Sequence, residues 1–160
     1  MRTDTIYGLV GQAANKEVVE RIYTIKHRTP SKSPIILIGD ISQMFDTYDA
    51  KISSKFPDYW PGANSLILPS KKAPTWIKRD NESVAYRLPA NKQLRELLMK
   101  TGPLIAPSAN PEGMPPAVSI REARAYFHEL VDYYEDGGVC SQSTASNLFK
   151  LNSTSTEQLR

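Results

Sequence analysis

Gly102-Pro103-Leu104-Ile105-Ala106-Pro107-Ser108-Ala109-Asn110-Pro111-Glu112-Gly113 is the stretch around which the chain is organised. Leu104-Ile105-Ala106 is a short apolar run of the kind that sits inside a sheet. Pro107 and Pro111 fix their own φ and restrict the residues before them, so the loop after the run is stiff. Ser108 and Asn110 supply a hydroxyl and an amide at i and i+2, and in extended backbone two such side chains face the same way. A rigid polar loop at a strand end is where α/β proteins hold ligands. The spacing fits an ordinary Ser/Asx turn equally well, and on spacing alone both readings stand.

Upstream, Asn91 caps a helix over 92–100 with Leu94, Leu97 and Leu98 facing inward and Gly102 as its C′ residue. Before it, Ser83 to Pro89 reads as a strand in which Ser83, Ala85 and Arg87 share a face. An arginine near the end of a buried strand needs an anion. Either a ligand or one of the 17 acidic residues supplies it. Ser65 to Pro69 and Pro34 to Ile38 are two further strands. Gly39-Asp40 stops the latter, and Ser42 then caps a short helical segment through Tyr48. Lys71-Lys72 falls in a solvated hairpin loop.

Nearer the start, Asn15 caps a helix from Lys16 to Lys26 in which Val18, Val19, Ile22, Tyr23 and Lys26 recur at helical spacing. The helix thus delivers Lys26 and, just past its end, Arg28 to one place, with His27 between them facing solvent. Two cations at a helix C-terminus commonly only complement the helix dipole. Beside a ligand loop, a Lys/Arg pair suits a polyphosphate. Downstream, Ser119 and Glu122 form a capping box for a helix carrying Ile120, Ala123, Phe127 and Leu130. Asp136-Gly137-Gly138 is a tight turn, and Ser143 to Phe149 leads into a last strand. Residues 152–157 are Ser/Thr-rich and read as a poorly ordered tail. His128 reads as a surface residue with no metal-spaced partner, and Cys140 as a packing residue. No resident metal is expected.

The 160 residues form a single domain by size, with 40% hydrophobic and 23% charged residues. Net charge +3 and pI ≈ 8.9 permit an anionic ligand such as a nucleotide or RNA without demanding one. No apolar run approaches the ~20 residues that span a bilayer. The N-terminus lacks a signal-peptide core, and one cysteine excludes an internal disulfide framework. A cytoplasmic, non-membrane protein is the expectation. Short strands mixed with several helices make the class α/β (α+β), a sheet covered by helices.

Six blocks then occur in order: Thr-Asp-Thr-Ile-Tyr-Gly-Leu (3–9), Ile-Tyr-x-Ile-Lys-x-Arg (22–28), Pro-Gly-x-x-Ser-Leu-Ile-Leu (61–68), Val-Ala-Tyr-Arg-Leu-Pro (84–89), Pro-Leu-Ile-Ala-Pro-Ser-Ala-Asn-x-x-Gly (103–113) and Asp-Gly-Gly…Ser-Thr (136–144). Together they resemble the YrdC/Sua5 family of threonylcarbamoyl-AMP synthases, over nearly the whole chain. The resemblance implies a twisted, mostly parallel-centred sheet with flanking helices around a large basic concave cavity. It also implies an enzyme that joins L-threonine, bicarbonate (or CO₂) and ATP into threonylcarbamoyl-adenylate and pyrophosphate. Mg²⁺ comes with the ATP. A separate transferase downstream then modifies adenosine 37 of tRNA.

By the same resemblance, Lys26, Arg28, Ser108 and Asn110 form a catalytic, ATP-binding tetrad, with Ser83 and Arg160 as further nucleotide contacts. Arg87 holds the threonine carboxylate, with Thr3, Tyr7, Ser143 and Thr144 in the amino-acid pocket. Arg2 stands where the family has proline, and the usual first strand and C-terminal tail are missing. Ala63 and Asn64 replace the family's Pro and Thr. The rival of a different class is a tRNA or double-stranded RNA-binding module without turnover. A catalytically silent family member is the third reading. Dispersed basic residues and the lack of an aromatic/basic stacking platform speak against the RNA module.

Overall fold

The computed structural model describes residues 1–140 and 144–160. Strands β1 (Gly11–Gln12), β2 (Ile35–Leu37), β3 (Asn64–Pro69), β4 (Ser83–Arg87), β5 (Leu104–Ile105), β6 (Asn147–Leu151) and β7 (Thr156–Gln158) build one sheet, ordered β1-β5-β2-β4-β3-β6-β7. The β2–β4 and β3–β6 pairs are parallel and the other neighbouring pairs antiparallel. The sheet is therefore mixed, which corrects the expectation of a mostly parallel-centred one. Short connections decide this. β3 and β4 are joined through nothing longer than the four-residue helix α3 (Thr75–Lys78), and β6 and β7 through a tight turn, whereas parallel neighbours need long crossovers.

Register sorts the side chains onto two faces. Ile36, Leu66, Leu68, Val84, Tyr86 and Ile105 are fully buried on one of them. Against that face packs the apolar side of α1 (Lys16–Lys26), through Val19, Ile22 and Tyr23. The cap is as the sequence implies: Asn15 Oδ1 accepts from Glu17 N at 3.0 Å and Val18 N at 3.2 Å. The other face carries Ile35 opposite Ala85 and Leu37 opposite Arg87. Helix α4 (Lys92–Thr101) covers one part of it, packing Leu94 and Leu98 on Leu37 and Leu104. Gly39 permits that approach, since a Cβ there would lie 2.7 Å from the Arg95 carbonyl oxygen. The part left uncovered, around Ile35, Ala106 and Arg87, is the floor of a cavity.

Several local expectations are corrected. Asp40, not Ser42, is the cap. Its carboxylate accepts from Ser42 N at 2.8 Å and starts only a 3-10 turn over Ile41–Gln43. Helix α2 (Ala50–Ser53) begins later, after Asp49. Leu97 is 36% and Leu130 52% exposed, so neither faces the core. Helix α5 (Ile120–Phe127) stops at His128, whose φ of 43° lies outside the helical region, and Leu130 falls beyond it. The Ser/Thr-rich tail forms β7, because Asn152 Oδ1 accepts from the amides of Thr154 and Ser155 and so closes a hairpin turn. Among the described residues no helix is long and apolar enough to cross a membrane.

Candidate functional site

Helix α1 and the loop after β5 meet at Lys26. The Lys26 side chain is 2% exposed, and its ammonium donates to the carbonyl oxygens of Ser108 and Asn110. Burial, with help from the Arg28 charge and against the pull of Glu112, pushes its pKa down to about 8. Lys26 thus lies behind the Ser-Ala-Asn loop and grips its backbone. The N-terminal segment holds the same loop from the other side: Leu9 N donates to Pro107 O at 2.9 Å and Ala109 N to Tyr7 O at 2.8 Å. Asn110 shapes the following turn, donating through Nδ2 to Pro111 O at 2.9 Å and Met114 O at 2.7 Å. Its Oδ1 is buried with no partner among the described residues.

One residue past α1, His27 takes φ 51° and Arg28 N donates back to Tyr23 O at 2.9 Å, which ends the helix and turns the chain. Arg28 emerges into a cavity of about 250 Å³ that Ser108 also lines. Its guanidinium donates to Ser33 O at 3.0 Å and lies 5.6 Å from the centre of the Tyr23 ring.

Arg87 forms the floor of that cavity at the end of β4. Its Nη2 lies 2.9 Å from Asp4 Oδ1, with only 5% and 7% of the two side chains exposed. The anion demanded by a buried arginine is therefore partly internal. Asp4 Oδ1, Asp4 Oδ2 and Arg87 Nε make no well-angled hydrogen bond among the described residues. Burial raises the Asp4 pKa against the pull of Arg87, and burial likewise lowers that of Arg87 against the pull of Asp4.

Thr3 lines the cavity while its hydroxyl donates to Ile6 O at 2.6 Å. Arg160 also lines it, held by a 3.1 Å donation from Nε to Ser146 O. Ser146 is itself pinned by its hydroxyl, 2.8 Å from that of Ser65. Thr144 is exposed and precedes Ala145 and Ser146, which line the cavity.

Tyr7 lies elsewhere. Its ring is fully buried, and its hydroxyl donates to Gly138 O at 2.7 Å and accepts from Gly137 N at 2.9 Å. It fastens the Asp-Gly-Gly turn. Ser83 shares a sheet face with Arg87 but starts the strand, opposite Pro69, and is not among the cavity-lining residues. Ser143 lies outside the described residues.

The structure thus gathers Thr3, Arg28, Arg87, Ser108 and Arg160 around one hollow, with Lys26 and Asn110 in the loop framework behind it. Asp4, Thr5 and Ser146 are the additions that sequence reasoning missed. Asp4 and Thr5 share the Thr-Asp-Thr block, a signal that was present. Ser146 carried none. Three guanidiniums face the cavity, and none of the described residues lining it is acidic. A hollow of this kind takes an anionic ligand. Among the described residues lining it there is no nucleophile–base pair, and what the lining can supply is positioning and charge stabilisation.

The sequence profile of the Sua5/YciO/YrdC family, described as telomere recombination, matches residues 1–160. A threonylcarbamoyl-AMP synthase of Pseudomonas fluorescens (strain Pf0-1) is 30% identical over 148 residues, covering 90% of this chain and 80% of the relative. One of Pseudomonas savastanoi pv. phaseolicola is 33% identical over 134 residues, covering 81% and 72%. The crystal structure of P. abyssi Sua5 complexed with L-threonine superposes with a TM-score of 0.88 at 29% identity. That match covers 99% of this chain and 48% of that one, so the chain spans about half the length of that protein. By sequence and by fold alike, the chain belongs to the Sua5/YciO/YrdC family.

Proposed function

We propose that the chain is a threonylcarbamoyl-AMP synthase, a nucleotidyltransferase that converts L-threonine, bicarbonate and ATP into threonylcarbamoyl-adenylate and pyrophosphate for tRNA modification. The observation that carries the reading is that Arg28, Ser108 and Arg87 line one cavity. The names of the Pseudomonas relatives and the threonine-bound P. abyssi Sua5 structure agree with it.

Threonine enters with its carboxylate on Arg87, displacing or sharing the guanidinium with Asp4. Its amine combines with bicarbonate to give a carbamate and water. A carbamate oxygen then attacks the α-phosphorus of ATP, the bond to the bridging oxygen breaks, and pyrophosphate carries the electron pair away. Arg28 and Arg160 hold the phosphates and stabilise the growing charge, and the Ser108 hydroxyl donates to a phosphate oxygen. Lys26 and Asn110 keep the loop that presents Ser108 rigid. Mg²⁺ arrives as part of the triphosphate substrate. The product is a mixed anhydride, so its consumer is a transferase with an amine acceptor.

The test is pyrophosphate release by the purified chain. Release that requires both threonine and bicarbonate is expected. ATP-independent RNA binding with no release would favour the RNA-binding module instead.

A further inference from the structure

Arg28 and Ser108 both line the cavity, yet they belong to segments 80 residues apart in sequence, and something has to fix their separation. Lys26 does so on one side of Arg28, through its grip on the Ser108 and Asn110 carbonyls. On the other side stands Glu112, which has no part in the roles assigned above. Its carboxylate accepts from the backbone amide of Thr29, from the Thr29 hydroxyl at 3.0 Å and from the Lys32 ammonium. Its own amide donates to Lys26 O at 2.8 Å. The segment 26–29 is therefore stitched to the loop 108–112 at both ends, and Arg28 sits between the stitches.

We infer that Glu112 is a positioning residue that sets the Arg28 guanidinium against Ser108 and so determines how well the site grips a polyphosphate. Glu112 does not line the cavity and touches no substrate; it acts through the Thr29 amide. Removing it leaves the backbone beyond Arg28 tied to its own 28–33 turn, through Lys32 N on Thr29 O at 3.1 Å, and no longer to the loop 108–112. A misplacement of about 1 Å in such a group weakens transition-state and ligand interactions by up to about a hundredfold. The Lys32 ammonium and the Thr29 amide hold the Glu112 carboxyl down to about 2, so the tie stays charged across any assay pH. Lys32 and Thr29 contact it directly, and Lys26 lies close enough to feel its charge.

The inference rests on the nucleotide reading of the cavity. The test compares the intact chain with Glu112→Ala and Glu112→Gln, measuring ATP affinity by calorimetry and the threonine-dependent release of pyrophosphate. Glu112→Ala is expected to raise the ATP Kd and KM about tenfold and to lower kcat as well, because Arg28 also stabilises charge in the transition state, with the KM for threonine within about twofold. Glu112→Gln keeps an acceptor for the Thr29 amide and is expected to recover about half of that loss on a logarithmic scale. This split between ATP and threonine is one that general destabilisation would not produce. Unchanged ATP affinity in both variants, or an equal loss in every parameter, overturns the inference while leaving the nucleotide reading intact. A wild-type chain that binds no ATP overturns the nucleotide reading itself, and the inference with it. Should the alanine variant not fold, the glutamine variant carries the comparison.

Discussion

Arg87 Nη2 and Asp4 Oδ1 stand 2.9 Å apart, more than nine-tenths buried, at the floor of the cavity. Removing one partner of such a pair strands the other charge, which destabilises by about 3–5 kcal/mol, whereas replacing both with apolar groups is often nearly neutral. Asp4→Ala should therefore lower the denaturation midpoint sharply, and Asp4→Ala/Arg87→Met should regain most of it. Threonine supplies a carboxylate of its own. Thermal shift is expected to show a larger stabilisation by L-threonine in Asp4→Ala than in the wild type. A smaller one would place the carboxylate elsewhere.

The Lys26 ammonium, pushed down to about 8 from 10.5, is charged below pH 8 and neutral above it. Affinity for ATP is expected to fall as pH rises through 8. Binding near that pH should take up a proton, because a polyphosphate on the far side of the loop adds negative charge near the buried ammonium and raises its pKa. Calorimetry in buffers of different ionisation enthalpy reads this directly, and Lys26→Met should abolish the uptake. The folding linkage has the opposite slope. The unfolded chain holds the proton up to 10.5 and the folded chain only to about 8, so this residue's contribution to stability rises with pH between those values. Lys26→Met also strands two loop carbonyls, a loss of about 1–3 kcal/mol offset in part by relief of the buried charge.

Arg160 is exposed and lines the cavity. Arg160→Ala is expected to leave stability within about 0.5 kcal/mol. It should raise the KM for ATP about tenfold, the loss of one charge-assisted contact. Steady-state kinetics alongside thermal denaturation separates the two effects.

Gly39 marks where α4 crosses the sheet. Gly39→Ala would press a methyl group against the Arg95 carbonyl oxygen at 2.7 Å, a backbone atom with little room to yield, with Leu98 Cβ and Met99 Cγ each 3.1 Å away. A loss of about 1–3 kcal/mol by urea denaturation is expected.

The sequence made the local elements readable where a cap and a periodicity agreed, as at Asn15 with α1 and Asn91 with α4. It also gave the Lys26/Arg28 and Ser108/Asn110 pairs as one neighbourhood, through the family resemblance. It did not show that Lys26 lies behind the loop, because a side chain reaching carbonyls 82 and 84 residues away leaves no trace in local pattern. The Asp4–Arg87 pair was hidden for the same reason: any of many acidic residues could have answered Arg87. Tyr7 misled because its motif lies beside the cavity while its hydroxyl points to the 136–138 turn. The β6–β7 hairpin was lost to composition, since Ser and Thr suit a disordered tail and an edge strand alike.

The most direct test is a crystal structure with a non-hydrolysable ATP analogue and L-threonine bound together. The triphosphate is expected between Arg28 and Ser108, with the threonine carboxylate on Arg87. Triphosphate density on an outer surface, with this cavity occupied by solvent alone, would contradict the proposed site.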